Sequence, residues 1–142
     1  MNASTLPQNI SVIGSGNMGS ALAEAFIAAG LITTVWNRTT SKVKPLVGKG
    51  AESAETAAEA VKVSPLVIIC VADYDAVYNI LEPILDTFSG KTLLNLTNGT
   101  PEEARKIAKW TAVQNIVYLD GGHYGYPTDD WTSWELHTLQ WI

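Results

Sequence analysis

Three glycines constrain this chain more than any other feature. In Gly14-Ser15-Gly16-Asn17-Met18-Gly19 they follow directly on the apolar run Ile10 to Ile13 and open a segment of helical pattern that reaches Gly30. A strand that turns at once into a helix needs glycine at these intervals. Gly14 permits the tight turn, Gly16 lets the backbone approach a ligand, and Gly19 lets helix and strand pack closely. The first turn of such a helix leaves N–H groups unpaired and carries the positive end of the helix dipole, which together attract a phosphate. The six residues Gly14, Ser15, Gly16, Asn17, Met18 and Gly19 are therefore a candidate dinucleotide pyrophosphate site.

The rest of the chain supplies the setting that such a turn requires. Short β-type runs at Ile10 to Ile13, Thr33 to Trp36, near Ala51, Leu66 to Val71, Leu93 to Leu96 and Ile116 to Leu119 alternate with helix-type stretches. The helices are expected at Asn17 to Ala29, Ser41 to Val47, Ala54 to Lys62, Tyr74 to Leu85 and after Thr100. Leu66 to Val71 is continuously apolar, as a central strand covered on both faces should be. Thr100-Pro101-Glu102-Glu103 has a cap, a proline at the first helical position and a glutamate placed for a capping box. Six strands alternating with helices predict an α/β fold, a Rossmann doubly wound parallel sheet in a single domain. Glu102 and Glu103 are sufficiently explained as complements to the helix dipole. Cys70, the single cysteine, excludes an internal disulfide and reads as a buried strand residue rather than a nucleophile.

The end of the second strand addresses the choice of cofactor. About 20 residues after the glycines, an Asp or Glu would hold an adenosine 2′-hydroxyl. Asn37 stands there instead, followed by Arg38, whose fork of donors suits a phosphate dianion, with Thr39 and Lys42 near enough to assist. This pattern favours NADP(H) over NAD(H). Val71, Ala72 and Asp73 close the fourth strand and should line the same cleft, although Asp73 has a competing role as cap of the following helix. Thr97, Asn98 and Thr100, beyond the fifth strand, are candidate contacts to the nicotinamide end or a substrate.

Composition narrows the partners. At 142 residues the chain has the length of one domain, and its net charge of −5 without a Lys/Arg block argues against nucleic acid or an anionic membrane surface. No apolar run is long enough to span a bilayer. Met1 to Gln8 form a polar N-terminal arm with neither a basic start nor an apolar stretch, so a cytoplasmic location is expected. No metal site is expected.

The glycine segment, Val35-Trp36-Asn37-Arg38-Thr39, Asp73-Tyr74-Asp75-Ala76-Val77, Asn95-Leu96-Thr97-Asn98-Gly99-Thr100-Pro101 and Tyr118-Leu119-Asp120-Gly121-Gly122 together resemble the imine reductase branch of the β-hydroxyacid dehydrogenase superfamily, whose NADP-binding domain is of the 6-phosphogluconate dehydrogenase kind. The resemblance covers residues 9–122. It implies hydride transfer from NADPH to a C=N or C=O bond of a small-molecule substrate, with Asn95 and Thr97 near the nicotinamide and the substrate. It further implies homodimers, in which a long helix and a helical second domain follow and supply the proton donor.

After Gly122 the resemblance stops. The related pattern would continue roughly as I-M-A-x-P-x-x-I-G and later Y-S-G, whereas this chain reads His123-Tyr124-Gly125-Tyr126-Pro127 and carries Trp131, Trp134 and Trp141. Joining the last two bases of each codon to the first of the next restores most of that pattern. His123 to Tyr126 then permit Ile, Met and Ala, while the steps from Trp131 to Thr132 and from Trp141 to Ile142 require Gly. Residues 123–142 are accordingly expected to be an aberrant, out-of-frame and disordered tail on a chain truncated after its nucleotide-binding domain, 9–122. Its His123, Asp129, Asp130 and His137 lack metal-ligand spacing, and its tryptophans lack a basic groove. Two alternatives to a working reductase stand beside it: a non-catalytic NADP(H)-binding module or inactive fragment, and a Rossmann-like methyltransferase. The second is disfavoured because Asn37-Arg38 offers no acid to a ribose.

Overall fold

The computed structural model describes residues 7–121 and 139–140. The expectations placed on residues 1–6, 122–138 and 141–142 lie outside it. Along the described chain run β1 (Asn9–Ile13), α1 (Asn17–Ala28), β2 (Ile32–Trp36), α2 (Lys44–Gly48), β3 (Glu52–Ser53), α3 (Ala57–Lys62), β4 (Leu66–Ile69), α4 (Tyr74–Leu81), β5 (Thr92–Asn95), α5 (Pro101–Ala112), β6 (Val117–Gly121) and β7 (Leu139–Gln140). The strands form one sheet in the order β3-β2-β1-β4-β5-β6-β7. Every pairing from β3 to β6 is parallel, and β7 alone runs antiparallel, with Asp120 opposite Gln140 and Gly121 opposite Leu139. The doubly wound α/β fold is as expected. The β7 pairing is not, because these two residues of the expected disordered tail extend the sheet edge.

Side-chain alternation divides the core between the two faces of the sheet, as the period of two in a strand requires. From β1, Ile10 and Val12 point to the face covered by α1 and α2, where they meet Ala23, Val35, Leu46 and Ile68. Ile13 points the other way, with Val67, Ile69 and Leu93, into the larger cluster closed by Val61 of α3, Val77 and Leu81 of α4, and Ile107 of α5. Ser11 shares that side. Buried completely, it donates its hydroxyl to the Ala60 carbonyl and lies 2.7 Å from Ser64 Oγ, so a polar side chain in the middle of β1 is satisfied by the end of α3.

Where elements depart from the sequence reading, backbone chemistry gives the reason. The helix expected over Ser41 to Val47 is instead a 3-10 turn, Thr40–Lys42, followed by α2. Pro45 lacks an N–H and its ring would strike the carbonyl four residues earlier, so it is accommodated only in the first turn of a new helix. Pro83 acts likewise. It ends α4 at Leu81, and Glu82–Phe88 continues as 3-10 turns that still bury Leu85 and Phe88. The third helix starts at Ala57 rather than Ala54 because Thr56 caps it, accepting from the Glu59 N–H. The expected capping box is present at α5: Thr100 Oγ1 accepts from the Glu103 N–H, and Glu103 Oε2 accepts from the Thr100 N–H at 2.7 Å. The strand expected to reach Val71 stops at Ile69, since the Val71 N–H bonds to Thr97 Oγ1 instead of to a neighbouring strand.

Among the described residues, Phe88 is the largest side chain with no exposure at all, and it ties the 3-10 segment to β4, β5 and α5. Replacing it by alanine should cost about 3–5 kcal/mol, the usual range for deleting a buried ring. Urea unfolding of Phe88→Ala measures this directly, and a loss below about 1 kcal/mol would show that this segment does not belong to the core.

Candidate functional site

The strand order reverses between β1 and β4. Chain leaving β1 turns toward one face and chain leaving β4 toward the other, which opens a crevice at their carboxyl ends. A cleft of about 430 Å³ lies there.

Its floor is the glycine turn, and each of the three glycines has a separate reason. Gly14 adopts φ +101°, and a Cβ on it would stand 2.0 Å from the Cys70 carbonyl oxygen, so both the conformation and the contact with β4 exclude a side chain. A Cβ on Gly19 would meet the Gly14 carbonyl at 1.9 Å, which is the close packing of α1 on the turn. Gly16 is the opposite case. A Cβ there would meet nothing within 4 Å, so no contact within the protein accounts for it, and the open space lies on the cleft side of the turn.

The N-terminus of α1 is equally bare. Where α3, α4 and α5 are capped by Thr56, Asp73 and Thr100, α1 has Gly16 at its cap position, no side-chain cap and no acid in its first turn. The Ser15 hydroxyl is buried and lacks a partner among the described residues. An unpaired buried hydroxyl costs roughly 1–3 kcal/mol, a cost removed by any ligand that offers an acceptor. Open space at Gly16, free N–H groups on α1 and an orphaned Ser15 hydroxyl together fit a phosphate-bearing group.

Asn37, at the end of β2, lines the cleft but is already engaged. Its Oδ1 accepts from the Ser15 N–H at 3.0 Å and its Nδ2 donates to the Thr39 carbonyl at 3.1 Å. The side chain thus ties the glycine turn to the second strand. Lys42 also lines the cleft. Arg38 and Thr39 are exposed beside it and do not line it, and neither Arg38 nor Lys42 enters an ion pair among the described residues.

On the opposite wall are Cys70, Val71, Ala72, Leu96 and Asn98. Asp73 is not among the lining residues. Its Oδ1 accepts from the Ala76 N–H at 2.8 Å, which is the capping role. Cys70 departs from its reading as a buried strand residue, since it lies just past β4, half-buried on the cleft wall. Burial pushes its thiol up to about 11, which keeps it protonated and unreactive at neutral pH.

Asn95 and Thr97 lie beneath this wall rather than on it. Asn95 is wholly buried, donating to the Tyr118 hydroxyl at 3.0 Å and accepting from the Thr97 N–H at 3.0 Å, and Thr97 is 3% exposed. Asp120 joins the same cluster, accepting from the hydroxyls of Tyr74 and Tyr118 at 2.6 and 2.7 Å. Sequence reasoning missed Tyr74, Tyr118 and Asp120 as a group, because only the parallel register of β5 and β6 brings Asn95 beside Asp120.

The glycines allow a test that needs no ligand. Gly14→Ala should be strongly destabilising. Gly16→Ala, with φ near −69° and open space around it, should leave thermal stability unchanged or slightly raised. Melting curves of the two variants decide it, and equal losses would contradict the assignment of Gly16 to ligand space.

Comparison with known proteins agrees with this geometry. Residues 9–125 match the family described as the NAD binding domain of 6-phosphogluconate dehydrogenase. The chain is 42% identical over 123 residues to an NADPH-dependent reductive aminase of Aspergillus oryzae, covering 87% of this chain and 42% of that protein. An imine reductase from Myxococcus stipitatus in complex with NADP+ superposes with a TM-score of 0.81 at 42% identity, over 82% of this chain and 41% of that one. A reductive aminase from Aspergillus terreus, in complex with NADPH and ethyl-5-oxohexanoate, gives 0.76 at 43% identity, over 80% and 40%. The chain therefore spans about two fifths of the length of these relatives. With its glycine turn, strand order and crevice all in place, it belongs to the family of NAD-binding domains of 6-phosphogluconate dehydrogenase type.

Proposed function

We propose that this chain is the NADP(H)-binding domain of an oxidoreductase of the imine reductase and reductive aminase kind. The observation that carries the proposal is the open, uncapped glycine turn, flanked at the end of β2 by Lys42 and Arg38 with no carboxylate at position 37. A carboxylate there would repel a 2′-phosphate and grip a ribose hydroxyl, whereas two cations that enter no ion pair among the described residues favour the phosphate. Gly14, Gly16 and Gly19 would shape the pyrophosphate seat, with the N–H groups of Asn17 and Met18 and the Ser15 hydroxyl offering donors. Arg38, Thr39 and Lys42 would receive the 2′-phosphate. Val71, Ala72 and Asn98 would face the nicotinamide half, supported from beneath by Asn95 and Thr97. Asp73 has no part in this beyond capping α4.

NADPH, when bound, supplies a hydride to a C=N or C=O bond, and the relatives' names point to imines and to carbonyls undergoing amination. Reducing an imine also takes a proton. No Asp, Glu or His lines the described cleft, and Cys70 holds its proton too tightly to give it up near neutrality. That observation favours a second reading for this span taken alone, in which it binds NADP(H) and leaves proton donation to residues outside the cleft. Substrate would then be completed by a further domain and, as in the dimers expected from the resemblance, by a partner copy. NADPH oxidation with a cyclic imine or a small ketone separates the two readings: turnover supports a complete catalyst, and tight binding without turnover supports the binding module.

Cofactor choice gives the sharper test. Arg38→Ala and Lys42→Ala should each weaken NADPH by about 1.5–3 kcal/mol, the scale of a lost charge-assisted bond, and leave NADH nearly unaffected. Titration calorimetry with both nucleotides measures the contrast, and equal losses for NADPH and NADH would overturn the 2′-phosphate assignment.

A further inference from the structure

Around the carboxyl ends of β4, β5 and β6 a run of hydrogen bonds crosses three strands, and none of its side chains lines the cleft. Asp120 Oδ2 accepts from Tyr74 at 2.6 Å and from Tyr118 at 2.7 Å. The Tyr118 hydroxyl oxygen accepts from Asn95 Nδ2 at 3.0 Å, Asn95 Oδ1 accepts from the Thr97 N–H at 3.0 Å, and Thr97 Oγ1 accepts from the Val71 N–H at 3.1 Å. The run thus begins on a half-buried carboxylate in β6 and ends on the backbone of a residue in the cleft wall.

Its chemistry is that of a rigid strut. Burial, and next the hydrogen bond to Asp120, push both tyrosine hydroxyls up, so both remain phenols with a proton to donate. Bonds from a hydroxyl to an ionised carboxylate are roughly twice as strong as neutral ones. Every polar side chain in the run has a partner, the condition under which a buried network rigidifies a structure rather than weakening it. Gly99 adds a steric constraint, since a Cβ there would come within 2.2 Å of the Tyr74 ring, so the loop carrying Asn98 is pressed against that ring.

Only one end of the cleft is supported in this way. The β2 side, with Asn37 and Lys42, takes the adenosine end of a dinucleotide, and the turn before α1 takes the pyrophosphate. The remaining half must extend over β4 and β5, across Val71, Leu96 and Asn98. Val71 and the residue between Leu96 and Asn98 are the two points where the run grips backbone.

We propose that Tyr74, Asp120, Tyr118 and Asn95 act as positioning residues that hold the wall made by Val71, Leu96 and Asn98 in the shape that receives the nicotinamide half of the dinucleotide. The inference rests on the dinucleotide reading above. A merely structural staple of β6 to the sheet would contribute stability without regard to which part of a ligand is bound, and this difference is measurable.

The experiment compares two ligands on the full chain: NADPH, and adenosine 2′,5′-bisphosphate, which has the adenosine end and no nicotinamide. Tyr118→Phe keeps the ring but removes the acceptor for Asn95 and one donor to Asp120. It should raise the Kd for NADPH about tenfold, the scale of one hydrogen bond, and leave the bisphosphate within about twofold. Asp120→Asn should show the same contrast and carries the test if Tyr118→Phe does not fold. Equal losses for both ligands, or no loss for either, would overturn the proposal. So would a parent chain that binds NADPH no more tightly than the bisphosphate. A parent chain that binds neither ligand refutes the dinucleotide reading itself, and this inference with it, before any variant is measured.

Discussion

Two backbone contacts organise everything else in the molecule. The carbonyl of Cys70 lies where a side chain on Gly14 would be, and the carbonyl of Gly14 lies where a side chain on Gly19 would be. Through the first, β1 and β4 stay close past the end of their ladder, where the Cys70 N–H still bonds to the Ile13 carbonyl at 2.9 Å. Through the second, α1 is drawn down onto the turn that begins it. The crevice exists because these approaches happen at the point where the strand order reverses. The Gly14 N–H bonded to the Trp36 carbonyl, and the Ser15 N–H bonded to Asn37, then lock the turn to β2. Removing any one of these ties would loosen three strands at the place where a ligand must be gripped.

Much of this was legible in the sequence because it depends on local chemistry. Glycine spacing, the apolar run Ile10 to Ile13, and the Thr100-Pro101 cap each fix a conformation within a few residues. The proline interruptions were legible in principle, since Pro45 and Pro83 cannot sit in the interior of a helix, and reading hydrophobic spacing alone passed over them. Side-chain direction past the end of a strand was not legible. Asn37, Asp73, Asn95 and Thr97 all stand at strand ends on the ligand edge, and proximity alone makes each a plausible contact. In the structure, all four spend their hydrogen bonds on nearby backbone or side chains. Polar residues at such ends serve first to satisfy a backbone that has just left the sheet and lost its ladder partners. Only the residues left over, such as Lys42 and Asn98, or the turn itself, remain free to meet a ligand.

This separation explains how an acidic chain can hold a highly charged anion. With a net charge of −5 there is no long-range attraction, so binding must come from groups that act over a few ångströms. Peptide N–H groups at the start of α1 do so without adding a formal charge, and the absence of an acid from its first turn keeps that end from being neutralised. Three other helices take the opposite course: Asp75 lies in the first turn of α4, Glu59 in that of α3, and Glu102 and Glu103 in that of α5. Dipole and carboxylate are matched in α3, α4 and α5 and left unmatched at the start of α1, which faces the cleft.

The same economy bears on catalysis. A cleft with free backbone donors and cations at one end, and at the other an apolar wall braced by Tyr74, Asp120 and Tyr118, can bind and orient a dinucleotide. Among the described residues, no Asp, Glu or His lines it, and the Cys70 thiol is held protonated. The Asp120 carboxylate is turned into two tyrosine hydroxyls and does not line the cleft. On the proposed reading, such an arrangement keeps the hydride donor away from an adjacent acid and leaves protonation to groups outside this cleft. Binding the cofactor and delivering the proton are then tasks for different surfaces, so each can change without disturbing the packing on which the other depends.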